Sequence, residues 1–110
     1  MDILFATAKL EKTFNSQKNL LREYGEQAKK IRLRMAVLRA APSLAHVPVA
    51  KPDRLHALSG DRKGCFAVDL KHPYRLIFEP ADVPVPRTDD GGIQKQQVVS
   101  IRILAVEDYH

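Results

Sequence analysis

The chain has 110 residues, 45% of them hydrophobic, which suits a single domain spanning residues 1–110 around one core. Its lone cysteine, Cys65, excludes an internal disulfide framework and fits a reducing compartment. The formal net charge is +5, and it is uneven: residues 1–60 carry 11 Lys and Arg against 5 Asp and Glu, whereas residues 61–110 carry 7 against 8. Nucleic acid or an acidic protein is the natural counterpart of that basic N-terminal half. No run of about 18 apolar residues reads as a membrane span. The opening MDILFATAKLEK lacks the basic start and long apolar middle of a signal peptide. The expectation is a cytoplasmic protein with no membrane partner.

Ile3-Leu4-Phe5-Ala6 is a short apolar run that predicts a strand. Ala8 to Phe14 suits a short helix, with Leu10 and Phe14 four apart on one face. Asn15 and Ser16 are N-cap residue types. They precede a second helix predicted from about Gln17 to Ala41. Leu20, Tyr24, Ala28, Ile31, Met35 and Leu38 recur there at spacings of 4, 4, 3, 4 and 3, a helical stripe. Lys29, Lys30, Arg32, Arg34 and Arg39 fall mainly off it. Gly25 weakens this helix by about 1 kcal/mol relative to Ala, and Pro42 ends it.

Pro42 to Pro52 reads as a linker-like loop, Arg54 to Leu58 as a short strand, and Ser59 to Gly64 as a turn. Phe66, Val68 and Leu70 alternate with Cys65, Ala67 and Asp69, the mark of a half-buried strand. Beyond the turn Lys71-His72-Pro73, Tyr74, Leu76 and Phe78 alternate with Arg75, Ile77 and Glu79, so the two runs predict an antiparallel hairpin. Pro80 to Gly92 is a long loop with no assigned role, and Val98 to Glu107 closes the pattern as a strand. The sum is α+β: two N-terminal helices packed on one antiparallel sheet.

The histidines His46, His56, His72 and His110 are scattered and Cys65 stands alone, so no metal-ligand spacing appears. No glycine-rich phosphate loop opens a helix. What remains is basic. His56, Arg62 and Lys63 flank a turn, Arg75 sits mid-strand, and the sequence closes on Glu107-Asp108-Tyr109-His110. A guanidinium fork meets phosphate oxygens, and an imidazole and a phenol can move protons, so the set suits a phosphodiester. The plainer alternative makes Arg75 a solvent-facing strand residue and Tyr109-His110 a tail.

The segment RLHALSGDRKGCFAVDL at 54–70, followed by HPYRLIFE at 72–79 and the closing DYH, resembles the RelE/ParE toxin superfamily. Within it the likeness is to HigB-type toxins of bacterial toxin–antitoxin modules, and it covers roughly residues 54–110. It rests on the LH-L-G step, the strand opening at Gly64 to Phe66, the strand Arg75 to Phe78 and the terminal DYH. The resemblance implies a RelE-like fold and the toxin of a type II system. That toxin would be a metal-independent endoribonuclease that cuts mRNA on the ribosome, with no cofactor. Its implied partners are a cognate antitoxin, mRNA and the ribosome.

Carried over residue by residue, His56 matches the family histidine, Arg75 the strand arginine, and Asp108, Tyr109 and His110 the terminal motif. His56, Arg75, Tyr109 and His110 are the expected catalytic residues; Arg62, Lys63 and Asp108 are expected to bind substrate. Arg75 would neutralise the phosphoryl oxygens, His56 or His110 would transfer protons, and Tyr109 would orient or stack. The chain departs from the family at Ser59, where relatives often have Lys, a charge that Lys63 or Arg62 could supply from the same turn. ParE-like members of the superfamily inhibit DNA gyrase instead, and the DYH ending favours the nuclease over them. A basic nucleic-acid-binding module without chemistry is the third reading.

Overall fold

The alternating segments of the C-terminal half pair with each other. In the computed structural model, which describes residues 1–108, β3 (Phe66–Asp69) and β4 (Tyr74–Pro80) form an antiparallel hairpin. The ninth-decade loop ends in β5 (Ser100–Asp108), antiparallel to β4, while β2 (His56–Ala57) pairs antiparallel with β3 at one edge. The other edge is β1 (Asp2–Phe5), which lies parallel to β5, giving the order β1-β5-β4-β3-β2. The fold class is α+β, and the expected antiparallel sheet is corrected at β1. Parallel neighbours need a long crossover, and here every other element lies between the two strands in sequence.

Two short helices begin where their caps predict. In α1 (Ala8–Phe14) the Thr7 hydroxyl accepts from the Leu10 amide at 3.1 Å. In α2 (Gln17–Tyr24) the Ser16 hydroxyl accepts from the Asn19 amide at 3.1 Å. The long helix expected over 17–41 is broken. Gly25 adopts φ +54°, a region that favours glycine, and a single 3₁₀ turn over Gly25–Gln27 leads into α3 (Ala28–Ala40). The apolar stripe survives the break. Leu20, Ala28, Ile31, Met35 and Leu38 are buried, and Tyr24 is half-buried, edge-on to Phe14 at 5.9 Å. They share one core with Phe66, Val68, Leu76, Phe78, Ile101 and Ile103 of the sheet.

Arg34 departs from the solvent-side set. It is 5% exposed: its Nε donates to the Asp69 carbonyl at 2.6 Å, its guanidinium donates to the Pro52 carbonyl at 3.3 Å, and Asp53 lies 3.6 Å away. The planar fork ties α3 to a loop and to β3 at once. The segment Pro42 to Pro52 is likewise no loose linker, because Leu44 and Val47 are core residues and the Leu44 amide donates to the Val98 carbonyl at 3.0 Å. Among the described residues no helix is long and apolar enough to cross a membrane.

Candidate functional site

Strand alternation gives the sheet two faces. Phe66, Val68, Leu76, Phe78, Ile101 and Ile103 belong to the helix-covered core. Residues of the other parity point away from it. Residues directly opposed across a ladder share a face. His56 is opposite Ala67, which is opposite Ile77; Asp69 is opposite Arg75, which is opposite Glu107. His56, Asp69, Arg75 and Glu107 therefore stand in two neighbouring rows on the face away from the helices, the open face below, although Ala67 and Ile77 among them are fully buried beneath the charged side chains. Leu104 has no partner in the β4–β5 register, and this bulge returns Glu79 and Arg102 to the same face as an opposed pair.

The charges on this face are closely matched. Arg54 grips Asp69 with both arms of its fork, Nε to Oδ2 at 2.6 Å and Nη2 to Oδ1 at 2.9 Å. Arg62 reaches from the preceding turn to the Glu107 carboxylate. Arg102 donates to Glu79 at 2.9 Å. Arg75 stands between Asp69 and Glu107 in the register, so two arginine-bound carboxylates flank it. Among the described residues Arg54 is the one non-glycine residue at positive φ, at +48°. Strain of that kind, about 1–2 kcal/mol, persists where surrounding contacts hold it, and the Asp69 clamp is such a contact.

His56 has a defined tautomer. Its Nδ1 lies 2.7 Å from the Arg54 carbonyl, which can only accept, so Nδ1 carries the hydrogen. Both His56 Nε2 and Arg75 Nε are enclosed rather than open to water. Cys65 sits immediately before β3, on the parity of this face. Burial pushes its thiol up, the Glu79 carboxylate adds to that, and Arg62 opposes it. A thiol held protonated is a poor nucleophile near neutral pH. Among the described residues no group of three or more His, Cys, Asp or Glu side chains is placed to hold a metal.

The candidates named from the sequence are thus only partly gathered. His56, Arg75 and, through Glu107, Arg62 meet on the open face. Lys63 lines a cleft with Arg87 and Lys95 that contains neither His56 nor Arg75. Asp108 is opposed to Tyr74, on the parity of Leu76 and Val106, and so lies on the opposite face from Arg75. Tyr109 and His110 lie outside the described residues. Arg54, Asp69, Glu79, Arg102 and Glu107 were not anticipated as site residues. Their only sequence signal is that Asp69, Arg75 and Glu79 recur at even intervals along the hairpin strands.

No protein-family model and no curated protein matches the chain. Among solved structures it is similar to a YoeB/ParE toxin from Agrobacterium tumefaciens, 11% identical, with a TM-score of 0.56 over 100% of both chains. That likeness is one of fold.

Proposed function

We propose that the chain is the toxin of a bacterial toxin–antitoxin pair and that it cleaves mRNA on the ribosome from the open face of the sheet. The observation that carries this reading is the placement of a tautomer-defined imidazole, His56, and a flanked guanidinium, Arg75, on one face of a YoeB/ParE-like fold. Cleavage requires a 2′-hydroxyl to lose its proton and attack phosphorus, and the 5′-oxygen to gain one as it leaves. Each positioned proton-transfer group contributes about 10²–10⁴-fold. In this reading His56 is the proton-transfer residue on the described part of the face, and substrate binding must open a path to its enclosed ring. Arg75 meets the charge developing on the phosphoryl oxygens, where a fixed donor is worth most. Tyr109 and His110, which follow Asp108 directly, serve as stacking and proton-transfer groups.

An antitoxin would cover the basic helical half. Exposed Leu21, Lys29 and Arg32 border a shallow groove of about 230 Å³ between α2 and α3, a setting for an acidic, partly apolar segment. A second reading, a gyrase-directed toxin without nuclease chemistry, has one observation in its favour. Arg54, Arg62 and Arg102 are already engaged by carboxylates, which leaves the face little net charge for phosphate.

Mapping of mRNA 5′ ends in a ribosome-programmed translation reaction tests the two. Arg75→Ala and a chain ending at Asp108 should each lose cleavage while keeping the wild-type melting temperature. Undiminished cleavage by both would reject this face as the catalytic site. Intact mRNA together with inhibited supercoiling by the full chain would select the gyrase reading.

A further inference from the structure

The connection between β4 and β5 is built rather than loose. Arg87 and Ile93 form an antiparallel bridge, the Thr88 amide donates to the Gly92 carbonyl at 2.8 Å, and the Gln94 amide donates to the Pro86 carbonyl at 2.9 Å. At its root, Asp82 accepts from the Val99 and Ser100 amides. This small hairpin folds toward the turn after β2, and between them lies a cleft of about 520 Å³. That volume is within the range of small-molecule sites, about 300–1,000 Å³.

Three cations line the cleft, Lys63, Arg87 and Lys95, and no carboxylate does. None of the three makes an ion pair among the described residues, in contrast to Arg54, Arg62 and Arg102 on the sheet face. Glu79, which borders a neighbouring recess with Lys63 and Arg87, is itself held by Arg102 at 2.9 Å. Arg87 uses one nitrogen on the Gly91 carbonyl, at 3.0 Å, and keeps the rest of its fork. The remaining wall is apolar apart from the Cys65 thiol: Ala57, Leu58, Phe66 and Ile93, with Gly64, Gly91 and Gly92 allowing close approach. Lys95 Nζ lies over the Phe66 ring, 6.0 Å from its centroid; cations without carboxylate partners beside an apolar wall match a ligand with a phosphate at one end and a flat, weakly polar body at the other.

We infer that this cleft binds a nucleotide unit, with Lys63, Arg87 and Lys95 on the phosphate and the base against Leu58 and Ile93. The cleft meets the open face at Cys65 but contains neither His56 nor Arg75, so binding in it does not depend on cleavage there. The same chemistry is offered by a free mononucleotide and by one unit of a single-stranded RNA.

Amide chemical shifts of the full chain, followed during titration with adenosine 5′-monophosphate, adenosine, and a short 2′-O-methyl oligoribonucleotide that cannot be cleaved, distinguish these sources. Shifts should concentrate at residues 63–66 and 87–95, and adenosine alone should not produce them. Lys95→Gln and Arg87→Gln should each weaken binding about tenfold, the usual effect of losing one charge-assisted contact. Lys95→Gln keeps the test valid if loss of the Arg87–Gly91 bond unsettles the hairpin. Arg75→Ala should leave the cleft shifts unchanged. Saturable shifts with the mononucleotide assign the cleft to a free nucleotide. Shifts only with the oligonucleotide, with a salt dependence reduced by about 0.7 per cation removed, assign it to an RNA strand. No shift at these amides with any probe, or shifts indifferent to both substitutions, overturns the inference.

Discussion

Replacing Arg34 with methionine tests how the site is anchored. Methionine keeps most of the apolar stem but removes the guanidinium. The Asp69 and Pro52 carbonyls lose donors at 2.6 and 3.3 Å, and Asp53, with a side chain 10% exposed, loses its counter-ion at 3.6 Å. Leaving one member of a buried pair uncompensated costs about 3–5 kcal/mol. That is a large share of the about 5–15 kcal/mol available to a small domain. Urea unfolding should show the midpoint falling by this amount divided by the slope, with the slope itself unchanged, and the melting temperature should drop by about 4–8 °C per kcal/mol. Adding Asp53→Leu should restore much of the loss, because replacing both partners by apolar groups is often close to neutral. The consequence reaches the open face. Arg34 holds the backbone of Asp69 while Arg54 holds its side chain, so the row containing Arg75 shifts if that backbone relaxes. A loss below about 1 kcal/mol, or a double variant as unstable as the sum of the singles, would refute the role assigned to Arg34.

Gly25→Ala should destabilise by about 1 kcal/mol, because Gly25 sits at φ +54° although a Cβ there would meet no atom within 4 Å; in an unbroken helix the same change would stabilise by a similar amount, so the sign of a thermal-melt difference decides. Cys65, its thiol raised by burial and by Glu79, should be alkylated by iodoacetamide more slowly in the folded chain than in urea at pH 8. Since the folded form holds this proton more tightly, its contribution to stability is present below the ordinary thiol range and is lost as pH rises above it; equal rates folded and unfolded would contradict the assigned environment. If the chain cleaves mRNA as proposed, Ser59→Lys, which adds a cation beside the turn that carries Arg62, should raise cleavage or leave it unchanged. A tenfold loss in the same 5′-end assay would mean the turn is arranged differently from that of the toxins the sequence resembles.

Local chemistry was legible wherever neighbours in sequence are also neighbours in space. Ser16 capped a helix because its hydroxyl reaches an amide three residues on, and the stripe from Leu20 to Leu38 marked its buried face because helical periodicity is a local property. The hairpin of β3 and β4 followed from alternation across the short turn at His72-Pro73. Tertiary structure decided the rest. Arg34 and its neighbours Arg32 and Arg39 look alike as cations on a helix, and only the approach of Pro52, Asp53 and Asp69 makes Arg34 a buried pin. Gly25 could have been tolerated within one helix, but the folded chain breaks there at positive φ while both halves contribute residues to one core. The site depended most on long-range pairing. Arg62 meets Glu107 across 45 positions, and one bulge at Leu104 decides which face Arg102 occupies. A shift of register by one residue would move every charge on a strand to the other face. The composition of the open face is therefore a property of the strand register, which composition and local periodicity leave undetermined.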